Sequence, residues 1–469
     1  MNNHIRISIR NDIELIPKGQ SDIHIKAPNF EFNFESLSPG TIKAIMKLKE
    51  EGGTEDELQD IVLNTDGFDG LLQFSHFLKS IERLGFVCYT ISTNDQAGGA
   101  ALIPLSSDFV FEISPIITED YYVLSPYCYT RIETGRLVLE TPLSPSRLEL
   151  TDQKLIPLIY SFLTPVKYSE VIPNFKDIDI EIIKTFISFL LQTKFLNRTD
   201  ITQTVENISI IDQWEFHDLL FHTRSRMGRH NNPYGGTYRF KDKVDQLPAV
   251  RPEFTGDSIA LKRPSPPSSS TNDKSFAKVM EDRKSIRNYG ESPINLDELS
   301  EFLFRVARIK YVTTTSDGVE ICGKPYPAGG SINELEIYAV VNNCNGIKPG
   351  VYHYAAAAHK LFHLSEKNPL VDQLIHLTWL TASRQSKIQV LFVITARFQR
   401  LSLKYQSVSY SLILKHVGVL FQTMYLVATE MGLAPCAIGG GDADLFAKIT
   451  GLNYYLESSV GEFLLGSCP

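Results

Sequence analysis

Residues 281–289 read Glu281-Asp282-Arg283-Lys284-Ser285-Ile286-Arg287-Asn288-Tyr289. Arg283, Lys284, Ser285 and Arg287 set three cations and a hydroxyl within five residues. Guanidinium forks give bidentate bonds and the ammonium adds a point charge, a combination that can hold a dianionic phosphate. Taken alone, the same residues also make an ordinary solvated basic turn. The sequence on either side decides between the two.

Downstream the pattern mixes helix and strand. Asn295-x-x-Glu298 is a capping box before a helix whose Leu299, Phe302, Leu303, Val306 and Ile309 form one apolar stripe. Residues 336–341 and 389–395 are continuous apolar runs, as expected of strands covered on both faces. Residues 351–354 and 361–364 form a hairpin pattern, and 369–384 a helix. A long helix over 411–431 is almost wholly apolar but carries Lys415, His416 and Glu430. It therefore belongs in a core or a subunit interface and not in a membrane.

Three loops interrupt this framework. Pro327-Ala328-Gly329-Gly330-Ser331-Ile332-Asn333 and Ala437-Ile438-Gly439-Gly440-Gly441-Asp442 have glycines that let backbone N–H groups approach a flat ligand. Neither is a P-loop, since no Gly-Lys-Ser/Thr follows, and either could be a plain turn. The third loop, 397–405, ends in Lys404-Tyr405. If it is helical, Arg400 and Lys404 share a face. Like charge and burial would then lower the lysine pKa, and the adjacent tyrosine would ionise more easily. That would tune Lys404 and Tyr405 as an acid/base pair; the plain alternative is a surface lysine and a packed ring.

Upstream, the first 200 residues repeat one order of elements. Short Ile- and Phe-rich strands are followed by three helix patterns. The first is capped at Ser38, the second by the box Thr54-x-x-Glu57, and the third stops at Gly85. A returning strand closes the copy. The order recurs with strands over 121–140, a turn at Thr134-Gly135, a helix from Thr151, a third helix from Asp179 and a strand at 195–198. Strands, three helices and a closing strand form a winged helix-turn-helix pattern. Residues 1–100 hold nine Lys or Arg against fifteen Asp or Glu, a balance of −6 that repels a phosphate backbone. The same module can instead accept an extended peptide beside its edge strand and third helix, or serve only as scaffold.

Between the halves, His217 and His222 are five apart and miss the spacing of two ligands on one helical face. The Pro- and Ser-rich stretch within 248–273 reads as a surface arm. The chain has 469 residues, 43% hydrophobic and 21% charged, with net charge −8, all typical of a soluble protein of several domains. Six cysteines without a CxxC pair argue against zinc or a disulfide framework. Together these features give the expectation of a cytoplasmic protein that binds no metal, nucleic acid or membrane.

Residues 281–289, the 326–338 segment and the 403–442 stretch together resemble the FMN nitroreductase superfamily. The resemblance is strongest to its SagB-like azoline dehydrogenases. The front modules are similar to those of ThcOx-type cyanobactin oxidases. The resemblance implies an α+β fold, with a dimeric nitroreductase-like α/β flavin domain behind two tandem winged helix-turn-helix modules. The boundaries are 1–95, 105–205 and 210–469, the last including a linker over 241–275. It implies FMN held by Arg283, Lys284, Ser285 and Arg287 at the phosphate and ribityl chain. Ser331 and Asn333 would border the isoalloxazine, and Gly439 and Gly440 would lie near its reactive edge. Lys404 and Tyr405 match the catalytic pair. The implied reaction oxidises thiazoline or oxazoline rings of a precursor peptide to thiazoles or oxazoles with O2, in a homodimer.

Departures from the family pattern are Lys284 for arginine, Tyr289 for phenylalanine, and Tyr410-Ser411 where Tyr-Arg is common. Basic residues are also missing from the C-terminus, a gap that a second subunit or the linker could fill. Alternatives are a nicotinamide-driven nitro- or quinone-reductase, a non-catalytic peptide-docking protein, and a transcription factor.

Overall fold

In the computed structural model the chain forms two units, Met1–Tyr234 and Gly235–Pro469; the structure describes residues 4–92, 99–199, 210–264, 274–383 and 385–469. Within the first unit the sequence repeat reappears as topology. Each copy begins with a strand (Ile5–Ile9; Tyr121–Leu124) and runs through three strands and then helices. Each ends in a strand (Val87–Ser92; Leu196–Thr199) antiparallel to the first.

Local chemistry sets the element ends. Ser38 Oγ accepts the Thr41 N–H, Thr54 and Glu57 close the capping box, and the Asp179 carboxylate accepts the Glu181 N–H. The second and third helices expected in the first copy run together as Glu55–Arg83, bent at Gly67, whose φ of 71° needs no Cβ to clear. The helix expected from Thr151 starts later. Asp152 caps a short turn, Gln153–Leu155, before the helix Ile156–Tyr160. Thr134 and Gly135, at φ 49° and 78°, make the two-residue turn between strands Tyr129–Glu133 and Arg136–Glu140.

The two copies share one sheet instead of standing as separate modules. Strand Gly99–Pro104 pairs with Val87–Ser92 on one side and Ser146–Leu150 on the other. The result is a six-stranded sheet and a single apolar core running through both copies. Residues 210–234, grouped by sequence with the second half, fold with the first unit; the Phe216 ring there meets Tyr129 edge-on.

In the second unit a seven-stranded sheet runs Ser258–Ala260, Lys360–Glu366, Gly350–Ala355, Leu335–Val341, Val390–Arg397, Glu457–Ser467, Leu433–Ile438, every pair antiparallel. Separate apolar cores cover its two faces, which explains the unbroken apolar runs of the central strands. The arm expected to lie over the surface contributes Ser258–Ala260 as an edge strand, and its residues 265–273 lie outside the described residues. The helix expected over 369–384 ends at Thr381, and Arg384 is not described. The helix Ser409–Glu430 packs Ile413, His416, Val417, Leu420, Met424 and Tyr425 inward. It has the length and apolarity of a membrane span, but 44% of its apolar window is buried in the fold. The site is built along this helix.

Candidate active site

At the N-terminal end of the long helix, three residues of the Gly-Gly loop take left-handed backbone: Gly330 (φ 59°), Ser331 (φ 55°) and Asn333 (φ 49°). Non-glycine residues there are uncommon and mark a strained turn held by its surroundings. A Cβ on Gly330 would lie 2.8 Å from Tyr405 Oη and 2.9 Å from Lys404 Nζ. Lysine amine and tyrosine hydroxyl thus converge on the backbone of this glycine. The segment 236–238 holds the pair from behind, with Thr237 N–H donating to the Lys404 carbonyl across 2.8 Å. Lys404 Nζ sits 5.9 Å from the centre of the Tyr238 ring and 5.5 Å from that of the Tyr405 ring.

The turn is fastened from below. Gly329 N–H donates to His416 Nε2 across 2.7 Å, and His416 Nδ1 meets Glu334 Oε1 at 2.8 Å. The Gly329 amide is therefore engaged inside the protein and is not free for a ligand. Asn333 turns inward, its amide nitrogen donating to the Cys322 carbonyl, while its Oδ1 is buried without a partner among the described residues. Of the two residues expected to border a flat ligand, Ser331 is half-buried beside the turn and Asn333 lies beneath it.

Two expectations for Lys404 and Tyr405 fail. The helix Phe398–Ser402 ends before Lys404, and Arg400 is buried. Its guanidinium donates to the carbonyls of Leu247, Glu320 and Ile332, tying three loops together instead of facing the lysine. The Tyr405 hydroxyl does not ionise more easily, because burial pushes its pKa up.

At the other end of the helix lies the basic turn. Ser285 Oγ is 2.7 Å from Tyr425 Oη, which accepts the Ala437 N–H across 2.8 Å. Ile286 N–H donates to the Pro435 carbonyl, and the Arg283 guanidinium stacks 5.3 Å from the Tyr425 ring centre. Residues 283–287 therefore run beside the strand Leu433–Ile438, which delivers Gly439 and Gly440. Lys284, Ser285 and Arg287 are exposed. Sequence reasoning missed Lys274, whose ammonium donates to the Thr429 carbonyl across 2.9 Å. With Lys284 it bears electrostatically on Cys468, so it adds a cation to this cluster. A single lysine after a Pro/Ser-rich arm gave no signal.

Gly439–Gly441, Phe421 and 459–462 line a cleft of about 330 Å³. A Cβ at Gly439 or Gly440 would meet nothing within 4 Å, whereas one at Gly441 would collide with the Glu462 carboxyl. Burial raises the Glu462 pKa. Among the described residues the amides of Gly439 and Gly440 donate to no protein group. Tyr425 and His416 are nine residues apart, so the two clusters are separated by roughly 14 Å along the helix axis.

Comparisons with known proteins cover both units. A ThcOx helix-turn-helix domain model matches residues 1–113, a cyanobactin oxidase ThcOx model 122–231, and a nitroreductase family model 280–466. A nitroreductase-like protein of Methanocaldococcus jannaschii is 30% identical over 164 residues, 34% of this chain and 76% of its own length. The trifolitoxin-processing protein TfxB of Rhizobium leguminosarum bv. trifolii is 26% identical over 145 residues, 30% of this chain and 39% of its own. Among solved structures, a nitroreductase-like protein of Anabaena variabilis aligns with a TM-score of 0.39 at 20% identity, over 52% of this chain and 45% of that one. The Escherichia coli microcin synthetase McbBCD complex aligns with a TM-score of 0.35 at 18% identity, over 57% of this chain and 100% of that one.

Proposed function

Because the chain belongs to the nitroreductase family, with ThcOx-type helix-turn-helix and cyanobactin oxidase domains in front, we propose that it is an FMN-dependent azoline oxidase acting on a precursor peptide. The family and the oxidase model make it an oxidoreductase. The finer reading rests on one observation above all: Lys404 Nζ and Tyr405 Oη converge on Gly330.

Oxidising a thiazoline or oxazoline to a thiazole or oxazole removes two hydrogens from the ring, one as a proton and one as hydride. FMN, when bound, accepts the hydride, and O2 takes the electrons onward as hydrogen peroxide. The chain must supply the proton acceptor and hold the ring. Tyr405, kept protonated by burial, suits hydrogen-bond donation to a ring heteroatom. In this reading proton acceptance falls to Lys404, acting as the neutral amine. Tyr238 and the 236–238 segment fix the lysine's approach.

The residues fit the cofactor. Arg283, Lys284, Ser285, Arg287 and Lys274 would hold its phosphate, and Gly439 and Gly440 have amides without protein acceptors beside an open cleft. The two clusters lie at opposite ends of one helix, and Leu414 and Val419 on that helix are exposed apolar residues. Both facts support a homodimer in which partner copies bring the clusters together.

The test is a purified yellow protein incubated in air, without nicotinamide, with a thiazoline-containing peptide. The expected result is a mass loss of about two hydrogens per ring. A requirement for NAD(P)H, or turnover of nitroaromatics but not azolines, would overturn the reading.

A further inference from the structure

The two front copies are alike in order but not in what they leave open. In the second copy, the third strand of the three-strand run is Ser146–Leu150. Its outer edge is occupied by the chain's own Gly99–Pro104, antiparallel, with Leu148 opposite Leu102. Thr151 N–H donates to the Gly99 carbonyl and Leu105 N–H to the Pro145 carbonyl, bracketing the ladder. By the antiparallel alternation, Arg147 and Glu149 exchange their backbone bonds with Ile103 and Ala101. The next stretch of chain then crosses this copy's third helix, Ile180–Gln192. Gln192 Nε2 donates to the Val110 carbonyl, and the Phe111 and Phe189 rings meet edge-on at 6.1 Å. The space beside strand and helix is filled in cis.

The equivalent strand of the first copy is Phe30–Phe34. It pairs on one side only, with Asp22–Ala27, and among the described residues nothing pairs with its other edge. The two-residue turn at 28–29 makes Ala27 and Phe30 a hydrogen-bonded pair, so Glu31 and Asn33 aim their N–H and C=O outward. Both are exposed. The third-helix half of Glu55–Arg83 runs alongside: Phe77 meets Phe34 at 4.8 Å, and Gln73 bonds Ser36 and Ser38. A free, exposed strand edge invites strand addition.

We infer that only the first copy takes peptide: an extended segment of the precursor adds antiparallel to Phe30–Phe34, while the second copy is closed by Gly99–Pro104. The occupant is read from the chain's own example. In Gly99–Pro104, Ala100, Leu102 and Pro104 are buried and alternate with half-buried Ala101 and Ile103. The peptide segment should carry small or apolar residues at every second position in the same way. This inference rests on the precursor-peptide reading of the function, and its test separates the two.

The test is hydrogen exchange of the full chain with and without the unmodified full-length precursor peptide, together with wild-type oxidation of a short leaderless azoline peptide. Fragments spanning 30–34 should slow at least about tenfold on adding precursor, as expected for new ladder hydrogen bonds. Fragments spanning 146–150 should exchange slowly in both samples. Glu31→Pro and Asn33→Pro each remove one outward N–H without touching the ladder to Asp22–Ala27. Each should weaken labelled precursor binding by about tenfold, the loss of one hydrogen bond. Protection gained at 146–150 instead, or none at 30–34, would overturn the inference even if the leaderless peptide is oxidised. Failure to oxidise any azoline would overturn the functional reading instead.

Discussion

His416 Nδ1 and Glu334 Oε1 lie 2.8 Å apart in the interior, while His416 Nε2 accepts the Gly329 N–H at 2.7 Å. A backbone N–H can only donate, so Nε2 is unprotonated and the ring proton lies on Nδ1, shared with the carboxylate. One imidazole thus fixes the turn that faces Lys404 and Tyr405.

Removing the ring should therefore cost stability as well as rate. Glu334 is fully buried, and His416→Ala leaves its carboxylate without this partner. A destabilisation of roughly 3–5 kcal/mol is expected for a broken buried pair. Glu334→Gln keeps an oxygen that can accept from Nδ1 and should cost much less. Urea unfolding of both variants checks the difference; equal losses would contradict the pairing.

Gly330→Ala tests the convergence itself. The new Cβ would fall within 3 Å of the Tyr405 oxygen and Lys404 nitrogen and would also sit at φ 59°. The left-handed backbone alone costs an alanine about 1–2 kcal/mol. The displaced tips of lysine and tyrosine should lower turnover about 100-fold, as misplaced acid/base groups do, with flavin content retained. Stopped-flow rates beside absorbance spectra measure both.

The interior also predicts an acid limit. Burial opposes the charge on Glu336, but the His353 hydrogen bond and the Lys324 charge outweigh it and hold its pKa at about 2, against an ordinary 4.5. A carboxylate depressed in the fold contributes stability that is complete above pH 4.5 and disappears as pH falls toward 2. The contribution is on the order of 3 kcal/mol. Glu336→Gln should flatten stability across that window while leaving its shape above pH 5 to other groups, about half a unit past the unfolded value. Unfolding curves at stepped pH provide the measurement.

Much of this fold is legible in the sequence. Local signals carried far: the caps at Ser38, Thr54, Asp179 and Asn295 start helices where the residues say they should. The doubled order of elements survives as doubled topology. Long-range pairing was less visible. Nothing in Gly99–Pro104 announces that it joins Ser146–Leu150, because strand alternation names a face and not a partner. Spacing also misled at Arg400 and Lys404, where a helix one turn shorter than assumed sends the two cations apart. His416 was visible as a polar residue within the apolar helix pattern, but Glu334 lies 82 positions away, and only the fold makes them a pair.

The long helix leads to a prediction about assembly. Leu414 and Val419 are exposed at 41% and 36% on a helix whose other face is core. If partner copies pack there, Leu414→Glu buries a charge at the interface and should shift the protein to monomer with loss of bound flavin. Light scattering on the purified variant tests this; a yellow dimer would contradict it.

The most direct test mixes oxygen-free yellow protein with a thiazoline peptide and follows the blue absorbance of the flavin, for the wild type and for Lys404→Ala. Rapid bleaching is expected in the wild type, with about one ring oxidised per flavin because each turnover moves two electrons. In the variant, intact colour and no bleaching on that timescale are expected. Bleaching of Lys404→Ala at the wild-type rate would contradict the assignment of proton acceptance to this lysine. A wild-type protein that bleaches only with NAD(P)H would not be an azoline oxidase.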